Sequence, residues 1–238
     1  MQLRILGMNG GFPEPGGATS GYLLTDGDTS LILDLGSGTL AELTRYMAPE
    51  DVTGVVLSHW HADHTADVAI LGYRLQAMGR KLPLWGPVDE KSSTSLDAAS
   101  NPWFDVTRVA PGERFQVGSM EVEVFAARHP VPSVMYRITC GDKVFCFTGD
   151  TNTQPGLAEY ARGADLLLAD SAFDSRSWSE AKPHLSSAHC ARIAREAGVR
   201  KLILTHINVT VDHASILREA REIYPAAMLA EKGMCVDF

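Results

Sequence analysis

Four side chains of the kinds that bind metal ions lie within six residues of one another. His59, His61, Asp63 and His64 follow directly after the apolar run 55–57. Residues two apart on an extended segment point the same way, so both imidazoles of the HxH pair can face one ion. Imidazole and carboxylate ligands suit zinc, and also manganese or iron. One histidine after a strand is usually an ordinary surface or core residue, but this density predicts a metal site.

Three further candidate ligands occur later in the chain. His129, Asp150 and His206 each stand at the end of a run of apolar and β-branched residues that is typical of a strand. Each strand end would deliver its side chain to one edge of a sheet. Taken singly, each residue could be a surface polar group. Their joint placement favours convergence on a site that holds two metal ions.

The elements that must position these residues show strand patterns early in each half and strand–helix alternation later. Hairpins are predicted at 21–36 and 133–150, and a helix is predicted over 65–79, directly after the first ligands. This order is typical of mixed sheets with helices packed outside, an α/β sandwich. No linker or low-complexity segment interrupts the sequence, so we expect residues 1–238 to form a single domain.

Composition narrows the classes of function. The chain has 238 residues and a formal net charge of −8, which argues against a broad surface for polyanions. A small anionic substrate is compatible with this charge, because bound cations reverse the local sign. We find neither an apolar run near the ~20 residues of a membrane helix nor a secretion signal. The four dispersed cysteines predict reduced thiols, and hence a cytoplasmic protein.

The order of these motifs resembles the metallo-β-lactamase superfamily, and the similarity extends from Asp34 in LILDLGSG to His206. The resemblance implies an αββα sandwich of two similar halves with two divalent ions, Zn²⁺ or alternatively Mn²⁺, at one edge. It implies three sets of ligands: His59, His61 and His129 for one ion, Asp63, His64 and His206 for the other, and Asp150 between them.

Three later segments, RHPVPSVMYRI, FTGDT and HLSSAHCARIAREAGVRKLILTH, resemble the ribonuclease Z-like branch of that superfamily. The branch carries an additional histidine that opens an H-x-S/T motif before a helix, matched here by His184 and Ser186. The resemblance implies that His184 protonates the leaving oxygen of a phosphodiester. Asp170, at the end of DLLLAD, is expected to orient His184, and Asp34 is expected to support a ligand histidine.

One departure from ribonuclease Z bears on the substrate. That enzyme has a long basic arm that grips tRNA, whereas only twenty residues lie between His129 and Asp150 in this chain. Extended nucleic acid is therefore not the expected partner. The segments GGFPEPGGATSGYLL and LSHWHADHTADV are similar to small stand-alone members of the branch. These include cyclic-nucleotide phosphodiesterases such as the anti-Pycsar nucleases of phages and their bacterial relatives. Such members are commonly homodimers, which we also expect here.

We therefore expect a metal-dependent phosphodiesterase that acts on small phosphodiesters, above all 3′,5′-cyclic nucleotides, with Asp63 and His184 as catalytic residues. The candidates for contact with the substrate are Trp60, Met135, Tyr136, Phe173, Trp178 and His213, although most such residues serve in a core or on a plain surface. Three alternatives stand beside this expectation. They are an RNA-processing nuclease, a thioester or lactone hydrolase, which would not need His184, and a metal-binding module without catalysis.

Overall fold

Two seven-stranded sheets and seven α-helices make up the computed structural model, which describes residues 1–238. The elements of the first half are, in chain order, β1 (Gln2–Gly7), β2 (Asn9–Gly10), β3 (Gly21–Asp26), β4 (Thr29–Leu35), α1 (Thr39–Leu43), β5 (Gly54–Val56), α2 (Ala62–Thr65), α3 (Val68–Met78), β6 (Leu82–Pro87), α4 (Ser93–Ser100) and β7 (Phe104–Val109). A single 3₁₀ turn lies at Pro49–Asp51.

The second half repeats the same kinds of element. They are β8 (Arg114–Val117), β9 (Met120–Ala126), β10 (Val134–Cys140), β11 (Lys143–Phe147), α5 (Leu157–Tyr160), β12 (Leu166–Asp170), α6 (Ser187–Ala197), β13 (Lys201–Thr205), β14 (Ile207–Asn208), α7 (His213–Ile223), β15 (Met228–Leu229) and β16 (Cys235–Asp237). No helix combines the length and the apolar composition that a membrane crossing demands.

The first sheet has the strand order β16-β1-β3-β4-β5-β6-β7, and the second has the order β15-β13-β12-β11-β10-β9-β8. In the first sheet β4, β5, β6 and β7 are parallel neighbours, and in the second β11, β12, β13 and β15 are. Parallel neighbours end at the same edge of a sheet, so the loops that follow them meet there. The short parallel pair β2–β14 joins the two halves at this edge.

Alternation along the strands explains the layers. On β3, Tyr22 and Leu24 enter the larger apolar core, whereas Leu23 between them belongs to a second core with helices α1 and α3. The two faces of a strand alternate with a period of two, so one strand can serve both cores. Tyr22 meets Phe147 of the second sheet with ring centroids 5.3 Å apart. The predicted αββα sandwich is confirmed.

Both predicted hairpins are present, but the helix predicted over 65–79 is wrong in one respect. It is divided into α2 and α3 at Ala66 and Asp67. The N–H of Asp67 donates to Leu35 O at 3.1 Å, and the Asp67 carboxylate accepts from Leu40 N at 2.8 Å. The bond from Asp67 N replaces the i to i−4 bond that would continue a helix, and the bond to the Asp67 carboxylate ties this residue to α1. The sequence pattern also missed α4, β7 and β8.

Candidate metal centre

All seven predicted ligands meet at the edge where the parallel strands end. They come from the loop after β5, from the segments after β9 and β11, and from the residue that follows β13. Four of the seven, His59, His64, Asp150 and His206, are almost completely buried. A cluster of ionisable groups with so little solvent requires partners, because burial of an unpaired charge is costly.

The first group consists of His59, His61 and His129. The Nδ1 atom of His61 lies 2.9 Å from His59 Nε2 and 3.2 Å from His129 Nε2. The other ring nitrogens of the latter two are already engaged, His59 Nδ1 with Ser58 Oγ at 3.0 Å and His129 Nδ1 with Pro183 O at 3.2 Å. His59 and His129 therefore each have Nε2 left, and these two atoms converge with His61 Nδ1 on one point.

The second group consists of Asp63, His64, Asp150 and His206. His206 Nε2 lies 3.1 Å from Asp63 Oδ2 and 3.4 Å from Asp150 Oδ2. His64 Nε2 lies 3.3 Å from Asp150 Oδ1. Asp150 Oδ2 also lies 3.7 Å from His59 Nε2 in the first group. Asp150 thus faces both groups, as a carboxylate shared by two ions would.

The donor set fits divalent metal ions. Two buried atoms that point into the second group, His64 Nε2 and Asp150 Oδ1, have no hydrogen-bond partner. Buried polar atoms without a partner are uncommon in folded proteins, and an ion between them would satisfy both. Three imidazole nitrogens for one ion, and two imidazoles with carboxylates for the other, are ligand sets that zinc and related metals prefer.

Asp34 supports the second group from behind. Its Oδ2 atom lies 2.7 Å from His64 Nδ1 and accepts from Ser58 Oγ, also at 2.7 Å, while its Oδ1 accepts from Ser58 N at 2.6 Å. A carboxylate on one ring nitrogen orients the other nitrogen of a ligand histidine and makes it more basic. The structure therefore places Asp34 where the sequence analysis expected it to act.

In the second group the pKa values of the carboxylates of Asp63 and Asp150 are lowered, and those of His64 and His206 are raised. Burial alone would raise the pKa of Asp150, but the imidazoles of His206 and His64 outweigh burial and hold that pKa well below its ordinary value. Burial alone would lower the pKa of His206. The carboxylates of Asp150, Asp170 and Asp63 reverse the effect and raise the pKa of His206 to about 10.

These shifts predict that metal affinity falls as the pH is lowered. At neutral pH a pKa of about 10 keeps His206 protonated in the ion-free chain, so an incoming ion must displace that proton. His64 in the same group also has a raised pKa, so one or two protons are displaced, and the apparent affinity should weaken by about 10- to 100-fold for each pH unit below 8. Competition with a chelating dye between pH 6.5 and 8 measures this slope.

Two variants control that measurement. His206→Gln should bind the metal more weakly, and its affinity should depend less steeply on pH, because glutamine carries no proton that the ion must displace. His213→Gln, which changes a histidine at the start of α7, should keep the slope of the unchanged protein. An affinity that is independent of pH in the unchanged protein would contradict the assignment of His206.

His184 and Asp170 form a pair beside the second group. His184 Nδ1 lies 2.9 Å from Asp170 Oδ2, which also accepts from Thr151 N at 3.1 Å. Asp170 is fully buried, and its own N–H donates to Thr148 Oγ1 at 2.9 Å. Burial lowers the pKa of His184, but the Asp170 carboxylate outweighs burial, so the pKa is raised. Because Nδ1 is engaged, Nε2 is the ring nitrogen left for other chemistry.

A cavity of about 260 Å³ opens onto both groups and onto His184. Seven of its lining residues had not been singled out as site residues: Gly10, Gly11, Phe12, Pro130, Ala172, Pro183 and Asn208. Most of these lie in glycine-rich or strand-end segments whose composition resembles that of any loop. The pairing of β2 with β14 brings Gly10 and Asn208 together. Each of these strands has only two residues, and no pattern in the sequence predicts so short a pairing.

Three of the residues predicted to contact the substrate lie outside the cavity. Tyr136, Met135 and Trp60 are buried in the apolar cores, with Tyr136 OH donating to Leu57 O and Trp60 Nε1 to Pro87 O, both at 2.8 Å. None of the three lines the cavity. Their side chains lie on the strand or loop faces that pack inward, so placing them in the site was wrong.

Three other predicted contacts lie near the site or outside it. Phe173 is mostly buried, and its ring centroid is 6.0 Å from that of His184. Trp178 Nε1 donates to His184 O at 2.7 Å, so it supports the segment that carries His184. His213 begins α7 and does not line the cavity, so the structure gives it no role in the site.

Comparisons with known proteins agree with this geometry. A family model described as a beta-lactamase superfamily domain matches residues 29–207. The probable metallo-hydrolase YhfI of Bacillus subtilis is 32% identical over 231 residues, which are 94% of each chain. In its crystal structure the similarity covers 99% of both chains, at 30% identity and a TM-score of 0.93.

Two ribonuclease Z proteins are also similar. The one from Methanopyrus kandleri is 29% identical over 274 residues, covering 98% of this chain and 96% of that relative. The crystal structure of human tRNase Z, short form, shares the fold, with a TM-score of 0.81 at 19% identity over 100% of this chain and 99% of that chain. With both the family model and a relative of matching length in agreement, the chain belongs to the β-lactamase superfamily, as a metal-dependent hydrolase with the metallo-β-lactamase fold of the ribonuclease Z-like group.

Proposed function

We propose that this chain is a dinuclear metal-dependent phosphodiesterase, formed by a single domain over residues 1–238, that hydrolyses small phosphodiesters, with 3′,5′-cyclic nucleotides as the preferred class. The observation that carries the proposal is the pair of His184 and Asp170 at the cavity. His184 is not needed to complete either ligand group, yet it lines the cavity beside both. A histidine held by a buried carboxylate is suited to proton transfer.

Seven residues of the site would hold the metal ions. His59, His61, His129, Asp63, His64, His206 and Asp150 would hold two divalent ions, with Zn²⁺ preferred and Mn²⁺ an alternative. Divalent ions in such sites neutralise phosphoryl oxygens as Lewis acids and lower the pKa of water. Asp63 Oδ2 accepts from Gly11 N at 2.8 Å, which fixes that carboxylate at the cavity wall.

His184 carries the proton for the leaving group. Its Nδ1–H donates to Asp170, and the protonated ring presents Nε2–H to the alkoxide oxygen that departs from phosphorus. Asp170 stabilises the charged ring before transfer and keeps its orientation afterwards. An alkoxide is a poor leaving group without a proton, which is why a phosphodiester of a ribose hydroxyl would require this histidine. A thioester or lactone hydrolase would not, and we therefore rank that alternative lower.

The segment between His129 and Asp150 favours a small substrate over RNA. It is filled by the hairpin of β10 and β11, whose strands are joined by Gly141 and Asp142 alone. No basic arm leaves this hairpin, and the net charge is −8. The similarity to the ribonuclease Z of M. kandleri favours RNA endonuclease activity as the second candidate. We also propose a homodimer in the cytoplasm, following the resemblance to small members of the branch.

A substrate panel tests the proposal. The chain loaded with zinc or manganese should hydrolyse 3′,5′-cyclic nucleotides and bis(p-nitrophenyl) phosphate, with weak activity on pre-tRNA and none on a thioester or a β-lactam. Product release is measured by chromatography at physiological salt, where weak electrostatic binding of RNA is suppressed. Preferential cleavage of pre-tRNA would replace our proposal by the second candidate. A chain treated with a chelator is the control for each substrate.

A further inference from the structure

An exposed phenylalanine stands at the rim of the candidate active site. Phe12 has 57% of its surface exposed, yet it lines the same cavity as His61, His129 and His184. Apart from the imidazoles, it is the only aromatic side chain in that lining. A large apolar side chain left in solvent gains nothing for folding, so its position at the mouth of a polar site points to a ligand.

The loop that carries Phe12 is held in place from both sides. On one side, the N–H of Gly11 donates to Asp63 Oδ2, and Asp63 belongs to the second ligand group. On the other side, the N–H of Gly17 donates to Glu14 O at 2.8 Å. The N–H of Glu14 donates in turn to Asn9 Oδ1 at 3.4 Å, and Asn9 is almost completely buried. Pro13 and Pro15 restrict the backbone further. Phe12 is therefore presented at a constant place relative to the metal groups.

The size of the cavity determines which part of a substrate reaches Phe12. At about 260 Å³ it is slightly smaller than the ~300–1,000 Å³ of sites that enclose drug-sized ligands. The reacting phosphodiester must lie against the ligand groups at the bottom. A nucleotide would then leave its base outside the polar cavity, at the rim where Phe12 stands.

We propose that Phe12 is a specificity-determining residue that stacks against a planar nucleobase, so that the preferred substrates are phosphodiesters of nucleosides rather than phosphodiesters without an aromatic group. This inference rests on the proposed function and names its substrate class. Stacking of a base on an aromatic ring is tolerant of base identity, because every base has a π-face. Phe12 would thus select for the presence of a base while the ligand groups act on the phosphate.

Equilibrium binding separates this role from turnover. Adenosine 5′-monophosphate and ribose 5-phosphate carry the same phosphate and sugar, and only the former has a base. Their dissociation constants are measured by calorimetry on the metal-loaded chain and on Phe12→Ala, Phe12→Leu and Phe12→Trp. We expect the preference for the nucleotide to fall about tenfold in Phe12→Ala and in Phe12→Leu, and to be retained in Phe12→Trp.

The control is Tyr73→Ala, which removes an aromatic side chain that is 70% exposed on α3, and it should keep the preference. Circular dichroism and metal content verify that each variant is folded and loaded. An equal loss of affinity for both ligands in Phe12→Ala would overturn the inference and assign Phe12 to loop structure. An unchanged chain that shows no preference for the nucleotide would overturn it as well.

The outcome is distinguishable from failure of the proposed function. If the preference depends on Phe12 but no cyclic nucleotide is hydrolysed, the stacking role stands and the proposed reaction is wrong. If cyclic nucleotides are hydrolysed with the same Michaelis constant in Phe12→Ala, the reaction stands and the stacking role is wrong.

Discussion

Asp150→Ala should abolish metal binding in both groups and lower turnover by about 10³- to 10⁵-fold, as expected when Lewis-acid stabilisation worth several kcal/mol is removed. The reason is its position. One carboxylate oxygen lies 3.3 Å from His64 Nε2, and the other lies 3.4 Å from His206 Nε2 and 3.7 Å from His59 Nε2. Its loss would remove the carboxylate that we propose is shared by two ions, and it would leave two buried histidines without their main negative partner.

Elemental analysis of protein purified without chelator measures the first part of this prediction. The unchanged chain should contain close to two transition-metal ions, and Asp150→Ala should contain less than one. His61→Ala is the matched comparison, because His61 contacts the first group alone and its loss should spare the second ion. Near-native turnover and two ions in Asp150→Ala would rule out a shared carboxylate at this position.

His184→Ala should keep both metals and the native fold but lose about 10²- to 10⁴-fold in turnover on a 3′,5′-cyclic nucleotide. The side chain of His184 is 15% exposed, and its ring lies beside those of His129 and His206 at the cavity, so its truncation leaves the apolar cores unchanged. The loss should shrink on bis(p-nitrophenyl) phosphate, since p-nitrophenolate departs without a proton. Steady-state kinetics on both substrates, together with metal content, provide the measurement.

Two further variants sharpen that result. Asp170→Asn keeps the shape of the side chain but removes the charge that supports the protonated ring, so it should show a smaller loss with the same dependence on the leaving group. His213→Ala changes a histidine at the start of α7 that does not line the cavity, and it should resemble the unchanged chain. Equal losses of His184→Ala on both substrates would show positioning rather than proton donation.

The convergence of the candidate ligands could be predicted from the sequence because metal chemistry limits the residue types. Histidine and aspartate at the ends of strands have few structural reasons to recur, and parallel strands deliver their ends to one edge. The layers were predictable for a similar reason, since a continuous apolar run such as Tyr22-Leu23-Leu24 on β3 requires a core on each face. In both cases the residue types within a short stretch of sequence determine what that stretch can bind or pack against.

The residues that line the cavity could not all be predicted in this way. Tyr136 lies in the chain between His129 and Asp150, but it pairs with Phe147 and Val124 in a register that turns its ring into the core. A register different by one residue would have turned it outward. Phe12 reaches the site through a hydrogen bond between residues 52 positions apart, from Gly11 to Asp63. Both outcomes depend on tertiary pairing that local composition does not encode.

Two strained backbone positions at the site also could not be predicted from the sequence. Asp34 and His206 are the only residues other than glycine with a positive φ, 55° and 54°. Such conformations cost free energy and persist where the surrounding structure requires them, as at binding sites. Asp34 holds His64 through this geometry, and His206 lies between Asp63 and Asp150. Propensity rules disfavour both conformations, so the sequence alone would not place them.

The pairing of β1 with β16 has a consequence for synthesis on the ribosome. β1 comprises residues 2–7, and its outer edge is covered only by residues 235–237. Synthesis proceeds at ~5–20 residues per second, so the edge of β1 stays uncovered for on the order of 10–50 s before β16 is made. An uncovered strand edge can pair with the edge of a neighbouring nascent chain. Each chain is thus most exposed to aggregation on polysomes, where identical unfinished copies lie close together, and this period ends only when the last strand has left the ribosomal tunnel.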